Sequence, residues 1–280
     1  MRAKAILLLV LGVTLFGVMD GLGKFLVADH SVVQIVWARY AFALPVSLWA
    51  SGPGMWSGLL ACERPVLQAV RGLMPLLASV AVIVGVRLMP LADFTAIGFA
   101  SPLLVAALSA PLLKERTSLH GWVAVLCGFA GVLVIVRPGT GTIAWGAIFP
   151  LATAFFFALY QLLTRLVSRD DDPRTTLAWT IAVGFVLTTP LLPFGWRPVD
   201  ATRWSLMALS GVLFGMGQFL LIRAYSMAAA GVLAPFTYAQ IIAAVLFGLL
   251  VFGDLPDVWT SLGTALIVLA GLYVLRGRAA

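Results

Sequence analysis

Residues 5–25 read AILLLVLGVTLFGVMDGLGKF, an almost unbroken apolar run in which Asp20 and Lys24 carry the only charges. A helix needs about 20 mostly apolar residues to cross a bilayer, so the run predicts a membrane-spanning helix. Arg2 and Lys4, which precede it, resemble the start of a signal peptide. The apolar run is too long for one and has no small-residue cleavage pattern, so we expect the helix to be retained.

The composition of the whole chain indicates the same environment. Of its 280 residues, 62% are hydrophobic and 10% are charged, against about 45–50% and about 25% in soluble domains. A soluble fold could not bury so much apolar surface, whereas a bilayer supplies an apolar exterior. Soluble enzymes, nucleic-acid binders and disordered scaffolds are therefore disfavoured, and we assign the net charge of +7 to orienting the helices in the membrane.

The length criterion predicts further spans along the rest of the chain. Clusters of Gly and Pro separate them, as at Ser51-Gly52-Pro53-Gly54 and Arg137-Pro138-Gly139. The predicted fold class is an all-α integral membrane protein with ten transmembrane helices. The ten spans lie near residues 5–25, 32–51, 66–88, 91–113, 119–136, 143–164, 175–194, 204–223, 229–252 and 258–275.

The loop charges predict the orientation. With the N-terminus in the cytoplasm, twelve Lys and Arg residues fall on inner segments: Arg2, Lys4, Arg64, Arg71, Lys114, Arg116, Arg165, Arg169, Arg174, Arg223, Arg276 and Arg278. Five fall on outer segments: Lys24, Arg87, Arg137, Arg197 and Arg203. Because positive charges favour the cytoplasmic side, we expect both termini in the cytoplasm of a multi-pass protein of the cell inner membrane.

An internal repeat relates the two halves of the chain. Trp179 is the counterpart of Trp37 and Arg276 that of Arg137, at a spacing of roughly 140 residues. Each half holds five predicted helices, an odd number, so the second half enters the membrane upside down. Two inverted five-helix repeats, 1–138 and 139–280, are therefore predicted. Inverted repeats are typical of secondary transporters that alternate access around a midplane site.

Three sequence features resemble the EamA domain of the drug/metabolite transporter superfamily. They are residues 101–108 (SPLLVAAL), residues 113–118 (LKERTS) and the glycines Gly121, Gly128 and Gly131. The second half resembles the domain less closely, with Asp254 at the acidic position and no arginine after it. The resemblance implies ten helices around a cavity lined by helices one, three, four, six, eight and nine. It implies a transporter, with bacterial broad-specificity exporters of aromatic amino acids as the nearest functional analogue.

Charged residues inside predicted spans are costly and are candidates for function. Asp20 and Lys24 lie four residues apart, on one face of helix one. Arg39 lies at a similar depth on the antiparallel helix two. Two interpretations stay open: an ion pair that locks helices one and two together, or a charged group that faces the cavity and contacts substrate or a proton.

Uncharged polar and aromatic residues complete the predicted cavity. A buried amide without a hydrogen-bond partner is costly in hydrocarbon, so the three glutamines among them should face a cavity or a neighbouring helix. The candidates are Ser79, Phe94, Phe99, Tyr160, Gln161, Gln218, Tyr238 and Gln240.

The predicted function is secondary transport of small metabolites by alternating access, with amino-acid export or exchange as the leading hypothesis. The alternatives are a carrier for another solute (a vitamin, a drug or a solute like S-adenosylmethionine), a channel, and a non-transporting scaffold. The sequence has no Walker A pattern, so we predict that ATP does not drive transport directly. No potential metal ligands lie at the spacing of a binding site, so we predict no metal, cofactor or catalytic residue. The predicted partners are a small-molecule substrate and the lipid bilayer. The oligomeric state is left open, with a monomer as the simplest expectation.

Overall fold

The structure is a computed structural model of the chain. It describes residues 2–52, 59, 62–101, 103–105, 107–108, 119–137, 143–168, 170–228, 233, 236–237, 239–253 and 256–276. Within these ranges every regular element is a helix and no strand is present. The prediction of an all-α fold is thereby confirmed for the part of the chain described.

Helices of eight or more residues are numbered in chain order. The first five are α1 (Arg2–Leu26), α2 (Val32–Ser51), α3 (Pro65–Leu88), α4 (Leu91–Gly98) and α5 (Leu119–Val136). The other five are α6 (Ile148–Val167), α7 (Pro173–Thr188), α8 (Ala201–Met227), α9 (Ala239–Phe247) and α10 (Val258–Arg276). A four-residue helix, Ile143–Gly146, precedes α6, a 3-10 helix, Thr189–Phe194, extends α7, and a π-helical turn, Gly248–Phe252, follows α9.

Six of these helices are long and apolar enough to cross a membrane: α1, α2, α3, α6, α7 with its 3-10 extension, and α8. The remaining apolar helices are shorter over the residues that the structure describes. Six spans are therefore established by length and composition. The full number of ten stays a prediction.

The predicted continuous helix over residues 91–113 is wrong near its middle. The helix ends at Gly98, and Phe99 and Ala100 form a turn before helical residues resume at Ser101. The physical reason is the proline that follows, because Pro102 has no N–H to donate to the carbonyl of Gly98, four residues earlier. The predicted ninth span, 229–252, is also irregular. Phe236 and Thr237 form a 3-10 turn, and the α-helix begins only at Ala239.

The packing joins helices from the two halves of the chain. α1 packs against α8 and α9, α3 packs against α6, and α2 packs against α7 and α8. Glycines let two of the helix pairs approach closely. A Cβ at Gly12 would lie 3.1 Å from the carbonyl oxygen of Gly217 on α8. A Cβ at Gly131 of α5 would lie 2.8 Å from the carbonyl oxygen of Gly263 on α10.

Ion pairs at the helix ends agree with the predicted alternation of sides. Arg203, which was assigned to the outer side, lies 2.6 Å from Asp29 in the α1–α2 connection, which is also predicted to be outside. Arg137 and Asp257, 2.6 Å apart, also share that side. At the other end of the bundle Arg64 lies 3.0 Å from Asp170. The assignment of one side to the cytoplasm stays a prediction.

Candidate functional site

A cavity lies among α1, α3, α4, α6, α8 and the α9 segment, with Arg39 of α2 at its edge. Its empty volume is about 800 Å³, part of which is open to solvent. These helices are the six that the EamA resemblance implies, plus α2. The lining residues are Phe16, Met19, Asp20, Arg39, Pro75, Ala78, Ser79, Val82, Phe94, Thr95, Gly98, Phe99, Ser101, Thr153, Ala154, Phe157, Gln161, Phe214, Gln218, Thr237 and Gln240.

The cavity walls are mostly apolar and rich in aromatic rings. Phe16 of α1, Phe94 of α4, Phe157 of α6 and Phe214 of α8 all border it, as does Phe99 after the break in α4. The rings of Phe16 and Phe214 have centroids 6.4 Å apart at an interplanar angle of 41°. Aromatic faces on several sides suit a flat, largely apolar solute.

Asp20 and Arg39 form an ion pair at the cavity edge. Arg39 Nη2 lies 3.5 Å from Asp20 Oδ1, and Gln240 Nε2 donates to Asp20 Oδ2 at 3.4 Å. Arg39 is completely buried, and its Nε and Nη1 groups have no hydrogen-bond partner in the part of the chain described. The pair therefore joins α1 to α2 while leaving unused donors on Arg39.

The carboxamides of Gln161 and Gln218 each border the cavity and bind a tyrosine. The Tyr160 hydroxyl donates to Gln218 Oε1 at 2.5 Å, and the Tyr225 hydroxyl donates to Gln161 Oε1. The carbonyl oxygen of each glutamine is therefore directed to a tyrosine hydroxyl. No hydrogen bond from either carboxamide nitrogen is found among the described residues, so both nitrogens are available to the cavity.

Arg71 is a buried charge that the sequence analysis placed with the inner loop charges. It is fully buried in α3, six residues after the helix begins at Pro65. Its Nη2 donates to the Tyr160 hydroxyl at 3.0 Å, so it is connected to the cavity through Gln218. An arginine near a helix end counts as a loop charge in the charge-asymmetry argument, whereas the structure places Arg71 inside the bundle; the side assigned to it stays a prediction.

The structure brings together eight of the predicted site residues around the cavity: Asp20, Arg39, Ser79, Phe94, Phe99, Gln161, Gln218 and Gln240. Tyr160 does not line the cavity but contacts it through Gln218. Lys24 is not among the lining residues. Its Nζ lies 4.6 Å from the centroid of the Phe252 ring. Tyr238 lies outside the described residues, as do residues 113–118 and Asp254.

Several lining residues were missed from the sequence. Thr153 of α6 and Thr237 are among them, and so are Phe16, Phe157 and Phe214. Small polar residues and phenylalanines occur throughout apolar spans, so no spacing distinguished these five from residues that face lipid. Arg71 could have been identified as a candidate, because it falls inside the predicted span 66–88, where a charge is costly.

Comparisons with known proteins place the chain among transporters. It is 33% identical to a riboflavin transporter of Vibrio cholerae over 179 residues, which are 62% of this chain and 59% of that protein. It is 28% identical to a riboflavin transporter of Rhizobium johnstonii over 268 residues, 89% of this chain and 87% of that protein. It is 22% identical to an S-adenosylmethionine uptake transporter of Rickettsia prowazekii over 260 residues, 91% of this chain and 87% of that protein.

A solved crystal structure shares the fold. It covers 100% of both chains with a TM-score of 0.72 at 18% sequence identity. The profile of the EamA-like transporter family matches the chain twice, at residues 3–137 and 144–276. The two matches account for nearly the whole sequence, so the chain is an integral membrane protein that belongs to the EamA-like transporter family.

Proposed function

We propose that the chain is a secondary transporter of the cell inner membrane that carries a small metabolite through the cavity by alternating access. The observation that carries this proposal is the composition of the cavity. Phenylalanine rings form its walls, and a few polar groups, Gln161, Gln218, Gln240 and the Asp20–Arg39 pair, converge on it. Such a combination is typical of sites that bind mainly apolar solutes and orient them with a few hydrogen bonds.

The leading substrate class is a flat, conjugated solute with polar ring atoms, such as riboflavin. Rings on α1, α4, α6 and α8 can stack against a flat solute, and the carboxamides can bind its ring carbonyls. Two relatives named riboflavin transporter support this class. The names of the relatives give no support to the amino-acid hypothesis drawn from the sequence.

Amino acids remain the second candidate because of one contact. Asp20 and Arg39 present opposite charges at the cavity edge, 3.5 Å apart. A zwitterion carries one group that complements each of them. Two nitrogens of the Arg39 guanidinium, Nε and Nη1, also have no partner among the described residues.

Two inverted repeats, 1–138 and 139–280, provide the proposed means of alternation. α1 packs on α8, and α6, which occupies the position of α1 in the second repeat, packs on α3. The segments around α4 and α9 are both interrupted beside the cavity, and interrupted helices at matching positions are typical of transporter sites. We infer that the hairpin of helices three and four and that of helices eight and nine rock in turn, with both termini in the cytoplasm.

Uptake by purified protein in proteoliposomes tests the proposal. Labelled riboflavin, tryptophan, phenylalanine and S-adenosylmethionine are offered separately, with protein-free liposomes as the control. We expect saturable uptake of riboflavin that is stimulated by unlabelled riboflavin inside. Non-saturable uptake without such stimulation would indicate a channel, and no uptake of any of the four solutes would favour a scaffold. Saturable uptake of the amino acids alone would support the second candidate.

A further inference from the structure

Arg71 fixes the direction of a hydrogen-bond chain that ends at the cavity. Its Nη2 lies 3.0 Å from the Tyr160 hydroxyl oxygen, and a guanidinium can donate but not accept. The Tyr160 oxygen must therefore accept from Arg71. The hydroxyl has a single proton, which is directed to Gln218 Oε1 at 2.5 Å. Because Arg71 only donates, the Tyr160 proton is left for Gln218, which accepts it with its carbonyl oxygen.

Arg71 is itself held by several other groups. Its Nε donates to Thr164 Oγ1 at 2.9 Å and its Nη1 to Thr180 Oγ1 at 2.8 Å. The carbonyl of Thr176 accepts a further bond from Nη1 at 3.1 Å. These partners lie on α6 and α7, so the guanidinium is anchored to two helices other than its own. A donor held in this way gives Tyr160 one stable orientation.

The consequence for the cavity concerns the carboxamide nitrogen of Gln218. With its oxygen directed to Tyr160, the carboxamide turns its two N–H groups away from that tyrosine. Gln218 borders the cavity, and its nitrogen donates to no other described residue. A solute on the nitrogen side of Gln218 therefore meets hydrogen-bond donors.

We propose that Arg71, acting through Tyr160, holds the Gln218 carboxamide with its N–H groups toward the cavity, so that the site selects solutes with a hydrogen-bond acceptor at that point. The acceptor is a carbonyl, a carboxylate or an unprotonated ring nitrogen. This inference rests on the proposed function, because it assumes that the cavity binds the solute. Arg71 and Tyr160 are positioning residues, and Gln218 contacts the solute.

The test compares riboflavin with analogues in which sulfur replaces one ring carbonyl oxygen and so weakens that acceptor. One lost hydrogen bond of about 1.4 kcal/mol corresponds to about a tenfold change. We expect wild-type protein to prefer riboflavin about tenfold over one of the analogues in kcat/KM. Tyr160→Phe and Arg71→Met should bring this ratio close to one, while Arg71→Lys, which can still donate, should retain most of the preference.

Tyr273→Phe is the matched control. Tyr273 is exposed on α10 and does not line the cavity, so the ratio should equal that of wild type. A Tyr160→Phe protein that keeps the wild-type ratio would overturn the inference. So would a wild-type protein that transports riboflavin and every thio analogue equally well.

A stability measurement decides the inference even if none of the solutes is transported, an outcome that would count against the proposed function alone. Tyr160→Phe and Gln218→Leu each remove the same hydrogen bond, so the double variant should lose less Tm than the sum of the two. Gln218→Glu keeps the acceptor, so its Tm should exceed that of Gln218→Leu by about 2–4 °C. Additive losses, or equal Tm values for the Glu and Leu variants, would refute the proposed orientation.

Discussion

Arg39 of α2 and Asp20 of α1 form an ion pair between two helices, with Nη2 and Oδ1 3.5 Å apart. Arg39 has no exposed surface, and 11% of the Asp20 side chain is exposed. The pair lies at the edge of the cavity. It therefore connects two helices and supplies the charged residues of the cavity lining.

Breaking this pair on one side should destabilise the protein. Asp20→Ala leaves a buried guanidinium without its counter-ion, and such losses cost about 3–5 kcal/mol. We expect the double variant Asp20→Asn, Arg39→Gln to recover part of the Tm that Asp20→Ala loses, because it removes both charges. The measurement is thermal unfolding in one detergent. A double variant less stable than Asp20→Ala would show that the charges do not compensate each other.

The crossing of α5 and α10 should be sensitive to a single methyl group. A Cβ at Gly263 would lie 2.6 Å from the carbonyl oxygen of Gly131, too close without a backbone shift. Gly263→Ala should therefore cost about 1–3 kcal/mol by overpacking. Gly98→Ala is the control, because nothing lies within 4 Å of a Cβ there. Equal Tm values for the two variants would contradict the close approach.

Asp257 should stabilise the start of α10 in a pH-dependent way. The backbone N–H of Thr260 donates to Asp257 Oδ1 at 2.7 Å, which lowers the pKa of the carboxyl below its usual 3.8. A lowered pKa means that the stabilisation is present above about pH 4 and is lost as the pH falls through the lower folded-state value.

Two variants at position 257 separate the cap from the charge. Asp257→Ala should lose about 0.5–2 kcal/mol near neutral pH because the cap is removed. Asp257→Asn keeps an oxygen acceptor and should lose less. The Tm advantage of wild type over Asp257→Asn should shrink as the pH falls below about 4. An advantage that grows on acidification would contradict this assignment.

Cys62 should report which side of the membrane the α2–α3 connection faces. It lies in the predicted cytoplasmic loop, with its Sγ 3.4 Å from Asp171 Oδ2. Burial raises the pKa of the Cys62 thiol, so labelling should be slow at neutral pH and faster at higher pH. In a Cys127→Ala background, an impermeant maleimide should label it only after the membrane is permeabilised.

The reference for this experiment is the opposite connection. Ala28 is exposed in the α1–α2 turn, on the predicted outer side. In a background without cysteine, Ala28→Cys should be labelled in intact cells. The reverse pattern, with Cys62 labelled and Ala28→Cys protected, would place both termini outside.

The regular helices could be predicted from the sequence because the length of each apolar run and the Gly and Pro clusters between runs define them. The predicted bounds of the second and fifth helices, 32–51 and 119–136, coincide with α2 and α5. The break after Gly98 was not predicted, since an apolar run gives no sign of where its hydrogen bonds stop. Pro102 was the available signal, but a proline inside a membrane helix often only bends it.

The candidate site was predictable where a residue is costly in lipid. Asp20, Arg39 and the three glutamines border the cavity because such groups need partners or water. The same argument applies to Arg71, but it was counted as a loop charge because it lies near the end of a helix. Lys24 has a long side chain, and its ammonium lies over the Phe252 ring rather than in the cavity.

Entrance counterflow of labelled riboflavin in proteoliposomes tests the central claim most directly, because only a carrier accumulates label above equilibrium when unlabelled solute leaves. Ala78, which is buried and lines the cavity, is replaced by Trp to fill it. Ala130→Trp, at an exposed position of α5, is the control. We predict a transient overshoot with wild type and Ala130→Trp and none with Ala78→Trp that remains folded. An overshoot unchanged by Ala78→Trp, or no overshoot with wild type, would contradict transport of riboflavin through this cavity.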